Sequence, residues 1–90
     1  MGTTYYTSTP ITTATTTLIK TGQGVFGGIE VFGGTTGTIT VYDNTAASGK
    51  KLADFDTTNA ISPTYMQQAG FSKGLTVVTS AATKINVLWK

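Results

Sequence analysis

Thr38-Ile39-Thr40-Val41-Tyr42-Asp43 alternates apolar with polar side chains at every step, the period of a strand that buries one face. Ile39 and Val41 are therefore expected to point inward. Upstream, Val25 to Phe32 forms another strand, with Val25, Gly27, Ile29 and Val31 on one face and Phe26, Gly28, Glu30 and Phe32 on the other. Glycine on both faces signals a bulge or a close neighbouring backbone. Gly33-Gly34-Thr35-Thr36-Gly37 between the two strands predicts a hairpin loop.

The β-branched run Ala14 to Thr21 extends the pattern towards the N-terminus and is turned by Gly22-Gln23-Gly24. Towards the C-terminus, the cluster from Asp43 to Gly49 is a turn, because Asp and Asn bond their own backbone. Lys50 to Asp56 alternates again, with Ala53 and Phe55 favoured inward over Leu52. Ala60 to Met66 is a short segment that Pro63 restricts to an edge. Phe71-Ser72-Lys73-Gly74 turns the chain and tucks Phe71 under the core, Leu75 to Thr79 follows, and Lys84 to Lys90 closes with Ile85, Val87 and Trp89 on one face. About seven strands at spacings near a dozen residues predict an all-β antiparallel sandwich, jelly-roll or immunoglobulin-like. Residues 1–13 are rich in Thr and without clean alternation, and an extended N-terminal arm is expected over 1–17, with 18–90 a single sandwich domain.

The composition removes most chemistry. A chain of 90 residues hides about 63% of its extended surface, enough for one thin core and no deep cofactor cleft. Cysteine and histidine are both absent, which excludes disulfides, thiolate metal sites and the commonest general base. Serine nucleophiles then lack a base, and no Ser-x-x-Lys pattern supplies one. No enzyme activity and no cofactor are expected. Charged residues are 11% of the chain and the net charge is +2, carried by six lysines without one arginine. Arginine is the residue that grips phosphate and reads guanine edges, so no nucleic-acid partner is expected. No run reaches the roughly 20 apolar residues of a membrane span, and the first residues show no export signal. No membrane partner and synthesis in the cytoplasm are the expectation.

Two motifs invite chemistry and are set aside. Gly22-Gln23-Gly24-Val25-Phe26-Gly27 fits the Gly-x-Gly-x-x-Gly fingerprint, but that site needs a helix to open there, and strand sequence follows instead. Asp43, Asp54 and Asp56 supply too few oxygens for calcium and read as solvent-facing acids beside lysines. The aromatics divide more usefully: Phe26 or Phe32, Phe55, Phe71 and Trp89 sit in strand patterns and are expected in the core, whereas Tyr5, Tyr6 and Tyr65 lie where patterning is weak. Tyrosine there suits a protein partner, with sugar stacking as the alternative.

Leu18-Ile19-Lys20-Thr21-Gly22, Gly24-Val25-Phe26-Gly27-Gly28-Ile29, Gly37 to Thr45, Phe71-Ser72-Lys73-Gly74-Leu75-Thr76-Val77 and Ile85 to Trp89 together resemble small virion proteins of tailed bacteriophages. The resemblance runs from Leu18 to the end and rests on turn and strand patterns. It implies a capsid decoration or cement protein on the outer surface of a phage head, a homo-oligomer with the trimer favoured, whose partner is the major capsid protein. The alternative is a head-fibre or tail-fibre module that binds a host receptor or glycan. Tyr5, Tyr6, Ile11, Leu18 and Trp89 are the candidate capsid or subunit interface: the first three are bulky groups in a small polar segment. Trp89 belongs either to the core or to a subunit seam.

Overall fold

The computed structural model describes the backbone of residues 6–57 and 64–90, and their side chains apart from 55 and 64–68. Eight strands form, β1 (Thr7–Ile11), β2 (Thr16–Thr21), β3 (Gly24–Gly34), β4 (Thr38–Asp43), β5 (Lys50–Asp56), β6 (Thr64–Phe71), β7 (Gly74–Thr79) and β8 (Thr83–Trp89). They make two four-stranded sheets, β1-β8-β3-β6 (sheet A) and β2-β7-β4-β5 (sheet B). All neighbours are antiparallel. The chain pairs its first strand with its last, its second with its seventh, and so inward to β4 with β5, as one long hairpin rolled into two sheets. That order is the jelly roll, two Greek keys in a double sheet.

Sheet A contributes Ile11, Phe26, Ile29, Val31, Phe71, Ile85 and Val87 to the interior, and sheet B contributes Ile39, Val41, Leu52, Leu75 and Val77. Ile29, Ile39, Val41, Leu75, Val77 and Val87 have no exposed surface at all. Each large aliphatic side chain so buried contributes about 1.5–3 kcal/mol. Buried threonines add hydrogen bonds to this core. The hydroxyls of the buried Thr57, Thr76, Thr79 and Thr83 donate to the carbonyls of Gly37, Asn44, Thr13 and Thr35, each in a connection between strands. A chain with few charges thus fixes its loops with neutral hydroxyls, which satisfy backbone groups that burial would otherwise leave unpaired.

Several local expectations change. Gly33 to Gly37 makes no hairpin: β3 lies in sheet A and β4 in sheet B, so the segment crosses between sheets. There Gly34 has φ +80, and a Cβ on it would stand 2.5 Å from the Ala82 carbonyl oxygen. Simple parity also fails in β3. Against β8, Phe26 pairs with Trp89 and Gly28 with Leu88, leaving Gly27 as the extra residue of a bulge. The bulge resets alternation, so Phe26 and Ile29 both face the core. A second bulge makes Phe32 extra between Val31 and Gly33 and leaves it 57% exposed.

In β5 the same device overturns the inward preference for Ala53 over Leu52. Val41 pairs with Ala53 and Tyr42 with Lys51, so Leu52 is the added residue opposite β4, and it is buried in the core with Ala53 packed beside it. Strand β6 runs from Thr64 to Phe71 and lies at an edge, later than the Ala60 to Met66 expected; 58–63 lie outside the described residues. The stretch 1–17 is not an arm from Thr7 onward. Thr7–Ile11 pairs with β8 across its whole length, and β2 begins at Thr16.

Candidate functional site

The surface, not a cleft, carries the distinctive features. A half-open cavity of about 110 Å³ lies at the end of the sandwich where Val31, Thr35, Thr57 and Thr83 meet. The Thr57 and Thr83 hydroxyls are already committed to the Gly37 and Thr35 carbonyls, so it presents chiefly methyl groups and main chain. Among the described residues no group of three or more Asp or Glu side chains could hold a metal ion. The glycine fingerprint is the turn from β2 into β3, without a helix.

The candidate interface residues fall in separate places. Tyr5 lies outside the described residues. Tyr6 precedes β1, and its ring lies on Gly27 so closely that a Cβ there would stand 2.4 Å from Tyr6 Cε1. Lys90 Nζ covers the ring at 4.8 Å from its centroid. Trp89 packs partly against the core, donates from Nε1 to Thr9 Oγ1 at 2.9 Å, and has Lys20 Nζ 5.9 Å from its ring centroid. Ile11, expected on an arm, is 5% exposed and belongs to the core because β1 carries it onto the inner face opposite Ile85. Leu18 is 49% exposed and pairs with Thr76 of β7, which pairs in turn with Tyr42 of β4, so the three form one row across sheet B. The structure therefore gathers Tyr6 and Trp89 at one corner of sheet A and keeps Leu18 on the other sheet.

Four strands stand at sheet edges. Strand β1 carries Pro10, β2 a bulge at Ile19 followed by Lys20, and β5 a bulge at Leu52 with Lys50 and Lys51. Proline, bulges and lysine all discourage a further strand from adding. Strand β6 contains neither charge nor proline. On β5, Lys51 Nζ pairs with Asp54 Oδ2 at 3.0 Å, both groups largely in solvent, so the pair contributes little to stability.

Asp43, expected to face solvent beside lysines, is buried instead. Its alternation places it inward at the end of β4, where Oδ1 accepts the Lys73 N–H at 2.9 Å and the Ser72 N–H at 3.1 Å. The bond from Lys73 chiefly holds the carboxyl below its ordinary range, aided by those from Ser72 and Gly74 and by the Lys50 charge, against an opposing effect of burial. Asp43 thereby fastens the β6–β7 turn to β4. A signal existed in sequence, an acid continuing the inward parity of Ile39 and Val41, but nothing there named its partners. The Lys90 contact with Tyr6 likewise follows from the pairing of β1 with β8, and the Lys20 contact with Trp89 joins one sheet to the other; no local pattern reveals either.

Comparison with known proteins leaves this description to stand on its own: no family model, no curated protein and no solved structure matches the chain.

Proposed function

We propose that the protein is a structural component of a phage virion, a cement or decoration protein that binds the major capsid protein on the outer surface of the head and ties neighbouring capsomers together. The observation that carries this reading is where the virion-like motifs fall. They lie on β2, β3, β4, β7 and β8 with the turns that join them, the framework of a jelly roll, and this architecture recurs in viral coat domains. Leu18 and Phe32, the large apolar side chains exposed among the described residues, support it as apolar contacts. The chemistry asked of the chain is contact alone: each copy contributes a modest area, and many copies acting together resist separation of the shell. A homo-oligomer, with the trimer favoured, is part of the proposal.

The test is reconstitution. Heads assembled without the chain should bind the purified protein on co-sedimentation and then open at a higher temperature than bare heads. Heads that neither bind it nor change their opening temperature would overturn the reading.

A further inference from the structure

The lysines are not scattered once the strands are rolled up. The β2–β3, β4–β5 and β6–β7 connections meet at one end of the sandwich, where Gly22 N–H donates to the Lys73 carbonyl at 3.0 Å and the Thr76 hydroxyl to the Asn44 carbonyl at 2.8 Å. The C-terminal residue joins them, Lys90 N–H donating to the Val25 carbonyl at 2.9 Å. Lys20, Lys50, Lys51, Lys73 and Lys90 all lie on these connections or the strand residues beside them. At the opposite end, the described connections 12–15, 35–37 and 80–82 contain no charged residue, and only strand ends bring charge near, with Asp56 opposite Thr38 and Lys84 opposite Gly33.

Little acid balances the lysine end. Asp43 stands opposite Lys50 and feels its charge, but its carboxylate is spent on the N–H groups of the β6–β7 turn, and Asp54 is engaged by Lys51. Among the described residues Lys20, Lys50, Lys73 and Lys90 make no ion pair, and Lys50, Lys73 and Lys90 are exposed. A net charge of +2 therefore understates the field at this end, because a cluster of one sign attracts its counterpart locally whatever the total.

We infer that this end, with Lys20, Lys50, Lys73 and Lys90, is a docking surface for a carboxylate-rich face of another protein. Its chemistry favours that occupant over nucleic acid or sugar. Lysine is a compact point charge without the planar fork that reads bases and grips phosphate in two places. The aromatic rings here are covered, Tyr6 by Lys90 and Trp89 by Lys20, so neither is a bare platform for a stacked base or sugar ring. The inference does not depend on the virion reading, since it concerns only which end meets acid.

The probe is fluorescent poly-L-glutamate, titrated with the full chain at about 0.15 M salt, where charges beyond about 8 Å are screened. Two variants carry the comparison, Lys50→Gln with Lys73→Gln together, and Lys84→Glu at the other end. Each takes the net charge from +2 to zero, and urea unfolding establishes that both fold. The expected result is binding by the parent chain, at least a fivefold loss in the double variant, and less than a twofold change in Lys84→Glu. Equal losses in the two variants would show that total charge governs binding and would overturn the proposal. So would no binding of poly-L-glutamate by the parent chain, or tighter binding of a DNA duplex at equal anion concentration.

Discussion

The Thr79 hydroxyl accepts the Thr15 N–H at 3.0 Å and donates to the Thr13 carbonyl at 2.6 Å, holding the β1–β2 connection to β7. Valine has the same shape without the hydroxyl, so Thr79→Val leaves the Thr13 carbonyl without that donor. The expected cost is about 1–2 kcal/mol in urea unfolding, and an unchanged midpoint would show that the hydroxyl holds nothing. Asp43 gives a second test at this scale, through pH. Its carboxyl titrates below the ordinary 3.8 in the folded chain, so the unfolded chain binds the proton more readily. The stabilisation is complete above that ordinary value and is lost as pH falls through the lower folded value. Asp43→Asn should flatten this part of the acid profile relative to the parent chain; parallel profiles between about pH 2 and 5 would contradict the assignment.

Strand β1 shows most plainly what could and could not be read at the scale of elements. Ile39 and Val41 in β4, and Ile85 and Val87 in β8, bury the faces that their alternation marks, because regular pairing preserves a period of two. Thr7–Ile11 hides its role, since Pro10 interrupts a strand-like reading and a partner 74 positions away, Ile85 opposite Ile11, decides its burial. Bulges at Gly27 and Leu52 defeat parity for the same reason: the extra residue is defined by the partner strand. The sandwich was thus legible, while its jelly-roll order was not, because only β4 and β5 pair as chain neighbours. Among the candidate interface residues, Leu18 lies exposed, whereas Ile11 was misread along with its strand. Ile11→Ala should lower unfolding free energy by about 2–4 kcal/mol. A loss below about 0.5 kcal/mol, the usual range for surface positions, would return the segment to an arm.

At the scale of the whole molecule, the roll gives the chain surfaces of different character. Sheet B shows Leu18 in a row with Thr76 and Tyr42, one end carries five of the six lysines, and the other end has Asp56, Lys84 and Phe32 near it. In the cement proposal these are contact areas for neighbours in a shell, and Leu18→Asp tests one of them. Because Leu18 is 49% exposed, the substitution should leave the unfolding midpoint within about 0.5 kcal/mol of the parent while reducing head occupancy at least several-fold. Full occupancy would remove the Leu18 face from the interface. The central claim, that the protein coats a head lattice, is tested most directly by its copy number in purified virions, measured by quantitative mass spectrometry against the major shell protein. One copy per shell subunit, or one per few subunits, is expected; a handful of copies per particle, as a fibre or tail component would give, or none at all, would contradict the cement proposal.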